Sequence, residues 1–287
     1  MLSINRNHFV EGVSVLPTPN KSGVLNPRLL IVHDTAGGLD YKGSVSWLRN
    51  PQAKASAHFV VGRNGEIVQL AAMSVKTWHA GKSIYKGKSN VNDFSIGIEI
   101  ANPGKMTMGV GETKSRASFG QTFDVKKYGV KFAETAHHGA GWWMPYPEAQ
   151  MTAVLNLAMA IRDRYEITEV APHYIISPGR KIDVNPLFPL SWLQAKMKGR
   201  QDVDSDVFDC HIAKGAHIRA WPSFNSANIL HTMEETTPGD MKRSGTYVPV
   251  GDSIPLQTPK DKPILWYFVN VPTGGEGWVP FTDVELL

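Results

Sequence analysis

One cysteine, Cys210, among 287 residues puts an internal disulfide framework out of reach, so stability has to come from a packed core and from any metal the chain holds. Long apolar runs are also missing, and nothing approaches the ~20 residues that a membrane helix needs. From Met1 to Val15 no basic stretch precedes an apolar one, so no secretory signal is read there. Dense runs of lysine and arginine are lacking too. The net charge of +4 and the pI near 9.0 are therefore a mild basicity, which favours anionic surroundings such as a bacterial envelope or nucleic acid, with nucleic acid ranked well below a cell-wall polymer. No internal repeat or low-complexity tract stands out. What is present, 42% hydrophobic and 20% charged residues, is the composition of an ordinary globular protein. The length suits one medium domain plus a smaller one.

Apolar periodicity divides the chain in two. Leu29 to Val32, Ala57 to Val61 and Ile96 to Ile100 read as short buried strands, and Gly62-Arg63-Asn64-Gly65 is a turn that joins the second of them to Glu66 to Leu70. Gly43 to Arg49 reads as a helix stopped by Pro51. Pro147 to Tyr165 reads as a long helix with Glu148 in its first turn and Arg162 and Arg164 in its last, and Trp192 to Lys198 as a short one. Strands alternating with helices predict an α/β domain over residues 1–200, a mixed central sheet flanked by helices. Within it, residues 103–146 carry glycines, lysines and the run from His137 to Trp143, and read as a long irregular connection that carries function or moves. After a polar linker from Gly199 to Ser205, residues 206–287 alternate β-type segments with Gly, Pro and Asn turns and hold no convincing helix. That is the pattern of a small all-β barrel.

The residues able to do chemistry lie near the ends of these elements. Pro172 to Asp183 places an imidazole, His173, an ammonium, Lys181, and a carboxylate, Asp183, in one segment stiffened by Pro178 and Gly179. Leu29 to Val32 delivers a second imidazole, His33, at a strand end. Together His33, His173 and Asp183 make a three-donor set that leaves the fourth position of a tetrahedral zinc open for water, the donor count of a catalytic site. Glu99 sits in the otherwise apolar stretch Ser95 to Ile100, where a carboxylate is costly unless it has a partner or a task. It can take a proton from attacking water and pass it to a leaving amine. Lys181, two residues before Asp183, points the same way in an extended segment and can hold the oxyanion formed when an amide carbonyl is attacked. These parts describe hydrolysis of an amide.

In chain order, His33-Asp34-Thr35, Ser56-Ala57-His58-Phe59, Gly65 to Leu70, Trp78-His79-Ala80-Gly81, Asn92 to Glu99 and His173 to Asp183 resemble the zinc-dependent type 2 N-acetylmuramoyl-L-alanine amidases. That family shares its fold with peptidoglycan-recognition proteins and phage lysozyme-like amidases. The resemblance runs from residue 25 to residue 195 and implies Zn2+ on His33, His173 and Asp183, with Glu99 as general base and Lys181 as transition-state stabiliser. It further implies substrate contacts from Trp78, His79 and Asn92, and cleavage of the bond between the lactyl group of N-acetylmuramic acid and the L-alanine of the stem peptide. Two departures stand out. Ile175 occupies a place where many relatives have an acidic residue two positions after the histidine ligand, so the contact expected there is absent or supplied by another group. Residues 102–146 are longer than the matching connection in compact relatives, and are expected to form a lid or substrate wall. In the tail, His217 to Ser223 and Glu276 to Pro280 resemble, more weakly, a bacterial SH3-like wall-binding module over residues 206–287.

The implied partner is bacterial peptidoglycan. Without a signal read at the N-terminus but with a wall-binding module, the expected role is a phage or prophage endolysin, made in the cytoplasm and released through a separate pore. It would be a monomer with no stable membrane association. A cytoplasmic muropeptide-recycling amidase is the alternative, and a peptidoglycan-binding protein that does not cut is a third reading, set lower because all three ligands stand beside Glu99 and Lys181. His58, in an apolar strand, reads as a hydrogen-bonded core histidine. His137 and His138 read as solvent-facing rather than as a second metal site. At least one of Trp142 and Trp143 reads as packing, Trp221, Trp266 and Trp278 as core aromatics, and Cys210 as a packed thiol.

Overall fold

The computed structural model describes residues 2–109, 111–135, 137–198, 208–220, 222–247, 249, 251–256, 258, 264–271 and 275–286; the linker expected from Gly199 to Ser205 lies outside them. The chain divides into two compact units, Met1–Gly199 and Arg200–Leu287.

The first unit is built on six strands: β1 (Ser14–Val15), β2 (Leu29–Asp34), β3 (Phe59–Val61), β4 (Ile67–Gln69), β5 (Ser95–Ile100) and β6 (Val170–Pro172). They lie in the order β1-β4-β3-β5-β2-β6, and only the β3–β4 pair is antiparallel. All six residues of β2 are buried, which is why its first four read as a continuous apolar run rather than an alternating one. One face is covered by helices α2 (Glu148–Tyr165) and α4 (Leu190–Met197), whose Val154, Leu157, Ile161 and Leu193 pack with Leu30, Val32, Ile96 and Ile98. Burying each such side chain stabilises the fold by ~1.5–3 kcal/mol. The other face meets α1 (Tyr41–Arg49) through Val45 and Leu48, and the one-turn α3 (His173–Ile176) through Ile176. Asp40 caps α1, its side chain accepting the N–H of Lys42, so the helix starts two residues before the apolar pattern suggests. At the β3–β4 turn Gly65 has φ +86°, and a Cβ there would sit 2.8 Å from the carbonyl oxygen of Ala149, so only glycine fits.

Because β2, β5 and β6 run parallel, their carboxyl ends share one edge of the sheet. The register sets His33 opposite Glu99 and Val32 opposite Pro172, so His33, Glu99 and His173 reach the same place. His58, in the segment entering β3, is fully buried and held neutral. Its Nδ1 accepts the Gly97 N–H (3.1 Å) and the Thr77 hydroxyl (3.0 Å), and its Nε2–H donates to the Val75 carbonyl (2.9 Å). Burial pushes its imidazolium down to about 4, with the Val75 bond opposing. The unfolded chain therefore binds a proton below about pH 6.5 that the folded chain refuses, and stability falls as the pH drops from there toward 4. Urea unfolding at pH 7 and pH 4.5 is expected to show roughly 2–3 kcal/mol less pH dependence in His58→Gln than in wild type. Equal pH dependence in the two would contradict it.

Residues 103–146 are not an irregular connection. They fold into a five-stranded antiparallel sheet, with Thr122–Asp124, Lys114–Ala117, Met106–Thr107, Gly139–Trp143 and Lys131–Thr135 in that spatial order. The sheet has its own core of Met106, Ala117, Phe123, Val130 and Met144, against which Leu39 and Trp142 pack. Trp143 is buried and donates its indole N–H to the Ala133 carbonyl, so both tryptophans pack. The strands escape a reading from sequence because they are two to five residues long and covered on one face only: exposed Lys114 and Arg116 alternate with buried Ser115 and Ala117.

The second unit is a seven-stranded sheet. Phe208–Ile212, His217–Arg219, Ile229–Thr232, Thr237–Tyr247, Ile264–Val271, Gly275–Pro280 and Val284–Leu286 form it, and every pairing is antiparallel. Cys210, Ile218, Val269 and Val279 fill one core cluster, and Phe224, Trp266 and Trp278 another. Trp221 lies outside the described residues. Among the described residues no helix is long and apolar enough to cross a membrane.

Candidate active site

At the carboxyl edge of the parallel strands three donor atoms face one another. His33 Nδ1 lies 2.9 Å from His173 Nδ1, His173 Nδ1 lies 2.9 Å from Asp183 Oδ2, and His33 Nδ1 lies 3.4 Å from the same oxygen. His33 is the last residue but one of β2, His173 opens α3, and Asp183 lies in the loop beyond. Among the described residues this is the only His/Cys/Asp/Glu group of three or more placed to hold a metal. The second nitrogen of each ring is already engaged. His33 Nε2 donates to His79 Nδ1 (3.0 Å), and His173 Nε2 to the Ala80 carbonyl (3.4 Å), which leaves both Nδ1 lone pairs beside a carboxylate oxygen. Lone pairs so placed repel unless a cation sits among them. Donors of a tetrahedral zinc lie ~3.3–3.5 Å apart, which the His33–Asp183 spacing matches and the two 2.9 Å spacings reach by opening a few tenths of an ångström, so two imidazoles and a carboxylate in this arrangement suit that ion. Burial, then the neighbouring His173, pushes the His33 imidazolium down to about 4, keeping the ring in the neutral form a metal requires. Burial pushes the Asp183 carboxyl up, but in the metal-free chain, where no cation claims the Nδ1 lone pairs, a proton on Nδ1 of His173 or His33 donates to it, and these bonds outweigh burial and hold the group well below the carboxylate range.

The supporting groups differ from what the motifs suggest. His79 is buried at the wall of the cavity beside these donors, with its ring against His33. Its Nε2 donates toward the Ser95 hydroxyl (3.2 Å) and carbonyl (3.4 Å). Gly97 makes room for that ring, since a Cβ there would lie 2.5 Å from His79 Cγ. Asn92 is not among the residues lining the cavity. Its side-chain oxygen accepts the backbone N–H groups of His79 (3.1 Å) and Ala80 (2.8 Å), so it shapes the loop that carries both partners of the ligand histidines. Asn92 therefore has a structural role in the loop, and His79 is placed to orient His33. Ile175 is exposed, and the contact its acidic counterpart would make is replaced by the Ala80 carbonyl on His173.

A cavity of about 500 Å³ opens beside the triangle, lined by His173 and Asp183 together with Glu99, Lys181, Asp34 and Trp78. Glu99 is half-buried. Burial first, then the charges of Asp183 and Asp34, pushes its carboxyl well above the ordinary value, with Lys181 opposing. A carboxyl so raised has the proton affinity a general base uses. Two residues here have no role that the motifs assign. Asp34 is buried, accepts the Tyr146 hydroxyl (2.5 Å) and the Asn185 N–H (2.8 Å), and is pushed up to about 7 by burial against those bonds. Trp47 projects from α1 to line the cavity while 58% exposed, opposite in character to the buried Val45 and Leu48 of the same helix.

Fold and site together define a mixed α/β protein with a His-His-Asp group at a sheet edge that could hold a metal. Residues 23–186 match the family described as N-acetylmuramoyl-L-alanine amidase, and the chain belongs to that family. It is similar to the N-acetylmuramoyl-L-alanine amidase AmiD of Escherichia coli (strain K12), 32% identical over 195 residues that make up 64% of this chain and 58% of that protein. The 1,6-anhydro-N-acetylmuramyl-L-alanine amidase AmpD of the same organism is 38% identical over 111 residues, 32% of this chain and 61% of its own length. A solved complex of E. coli AmiD with anhydro-N-acetylmuramic acid-L-Ala-D-gamma-Glu-L-Lys is 28% identical with a TM-score of 0.44, covering 68% of this chain and 65% of that one. The chain thus spans less than two thirds of the length of these relatives.

Proposed function

We propose that this chain is a zinc amidase that hydrolyses the amide bond between N-acetylmuramic acid and the L-alanine of the stem peptide in bacterial peptidoglycan. The observation that carries the reading is the His33–His173–Asp183 triangle with Glu99 and Lys181 on the same cavity. Zinc held there supplies Lewis acidity to the scissile carbonyl and to the attacking water. Glu99 takes the proton that water loses as its oxygen bonds to the carbonyl carbon, and returns it to the alanine nitrogen as the C–N bond breaks, leaving a carboxylic acid and a free amine. Lys181 holds the carbonyl oxygen while it carries negative charge. Trp47 and Trp78 form an aromatic wall of the cavity, suited to the apolar face of a sugar ring.

On this reading the intact wall is the substrate, reached as an endolysin reaches it, by a chain made in the cytoplasm and released through a separate pore. The all-β second unit then serves as the SH3-like module that holds the enzyme on the polymer. Recycling of soluble muropeptides is the second reading, favoured by the relatives that are named for 1,6-anhydro-N-acetylmuramyl substrates. Release of alanine amino groups from purified sacculi and from soluble anhydro-muropeptides separates the two. Cleavage of sacculi at least as fast as of the soluble substrate supports the wall enzyme, and cleavage confined to soluble substrate supports recycling. Binding to sacculi with no cleavage of either would overturn the amidase reading.

A further inference from the structure

The insert touches the chain neighbour of every residue in the metal triangle. Beside His33, Asp34 accepts the hydroxyl of Tyr146, the residue that closes the insert (2.5 Å). Beside His173, Tyr174 is bracketed by two insert histidines. His137 stacks on it with ring centroids 4.8 Å apart and planes inclined by 26°, and His138 meets it edge-on at 4.9 Å. Beside Asp183, the Val184 carbonyl accepts the Nε2–H of His138 (2.8 Å). One residue further, the Asn185 side chain donates to the Met144 carbonyl (3.1 Å) and its backbone N–H to Asp34 (2.8 Å).

His138 is not free to do anything else. It is buried, its Nδ1 accepts the Thr135 hydroxyl (2.6 Å), and its ring packs edge-on against Trp143. Both nitrogens are committed, which excludes it as a ligand of a second metal and contradicts a solvent-facing histidine. The loop that carries Asp183 has no regular secondary structure of its own from Lys181 to Asn185. Its backbone is tied by the Lys181 N–H on the Ser177 carbonyl (3.1 Å), the Tyr174 N–H on the Asp183 carbonyl (2.9 Å) and the Phe188 N–H on the Asn185 carbonyl (3.0 Å), none of which engages Val184. A ligand on such a loop stays in place only if its neighbours are held, and the insert supplies His138 on the Val184 carbonyl and the Met144 carbonyl on the Asn185 side chain.

We infer that the insert sheet is a positioning clamp for the metal triangle, acting through His138 on Val184 and through Tyr146 on Asp34, rather than a lid over substrate. The inference rests on the reading of His33, His173 and Asp183 as a metal site. It treats the insert as a fixed part of that site. Outer partners of metal ligands change affinity by ~10- to 100-fold when removed, and that is the effect assigned to these two residues.

The test is zinc affinity of the full chain, measured by competition with a chromogenic chelator, beside thermal unfolding of the zinc-free chain. His138→Ala and Tyr146→Phe are each expected to weaken zinc by ~10- to 100-fold. His138→Gln, which keeps a donor toward Val184, is expected to recover part of the loss, and Thr122→Ala, on the outer strand of the same sheet, to bind as wild type does. The Tyr146→Phe change removes one hydroxyl and leaves the ring packing, so the clamp is tested even if His138→Ala fails to fold. Folded variants with wild-type zinc affinity would overturn the clamp alone, as would a lower melting temperature of the zinc-free chain with affinity unchanged. Failure of the wild-type chain to bind zinc would overturn the metal site and the clamp together.

Discussion

Replacing Asp183 with asparagine is expected to bring amide hydrolysis to background and to weaken zinc by well over ~100-fold, since losing a ligand costs more than losing a ligand's outer partner. The amide keeps the size of the side chain but removes the negative charge that the two neutral histidines need beside them to hold a dication. A second consequence separates this from simple unfolding. In the zinc-free chain the Asp183 carboxyl is held low by His173 and His33, so it contributes stability above the ordinary carboxylate range that is lost as the pH falls through its folded value. Asp183→Asn should therefore unfold at a lower temperature than wild type at neutral pH even without zinc, and zinc should raise the melting temperature of wild type only. A variant that still gains stability from zinc would remove Asp183 from the ligand set.

Glu99→Gln is expected to lower turnover by ~10²- to 10⁴-fold, the range for loss of a positioned acid–base group, with zinc affinity retained. Its effect on stability has the opposite sign to that of Asp183→Asn. Glu99 stands half-buried near Asp183 and Asp34, and its carboxyl is raised, so its ionised form opposes folding at neutral pH. Neutral glutamine relieves that repulsion, and the zinc-free variant should melt at or above the wild-type temperature. Lost turnover with unchanged or higher stability marks a residue kept for chemistry. Lost stability together with lost zinc would instead make Glu99 part of the metal site's scaffold.

Much of this site is legible in the chain because buried strands announce their ends. A run such as Leu29 to Val32 has no reason to finish on a histidine, nor Ser95 to Ile100 to contain a glutamate, unless function places them there. Parallel pairing then brings His33 and Glu99 side by side. The groups that orient the ligands give no such signal. His79 and Asn92 belong to the same motifs as substrate contacts would, and only the fold shows that one ring faces His33 and that the other side chain caps a backbone turn. The insert hides for a different reason: its strands are too short and too polar on one face for period-two alternation to rise above turn-like composition. The histidine pair at its tip resembles a flexible loop in sequence because the groups that fix it, Val184 and Tyr174, lie far along the chain. Trp47 is concealed by its helix, where an apolar side chain at that position reads as one more core residue.

The measurement that bears most directly on the central claim is the appearance of free alanine amino groups when the purified chain acts on peptidoglycan, followed for the native protein, after chelator treatment, and after zinc is restored. The account predicts release that stops on chelation and returns with zinc, in proportion to zinc bound. Release that persists in the fully chelated protein, or that never occurs while zinc is bound at the His33–His173–Asp183 triangle, would contradict it.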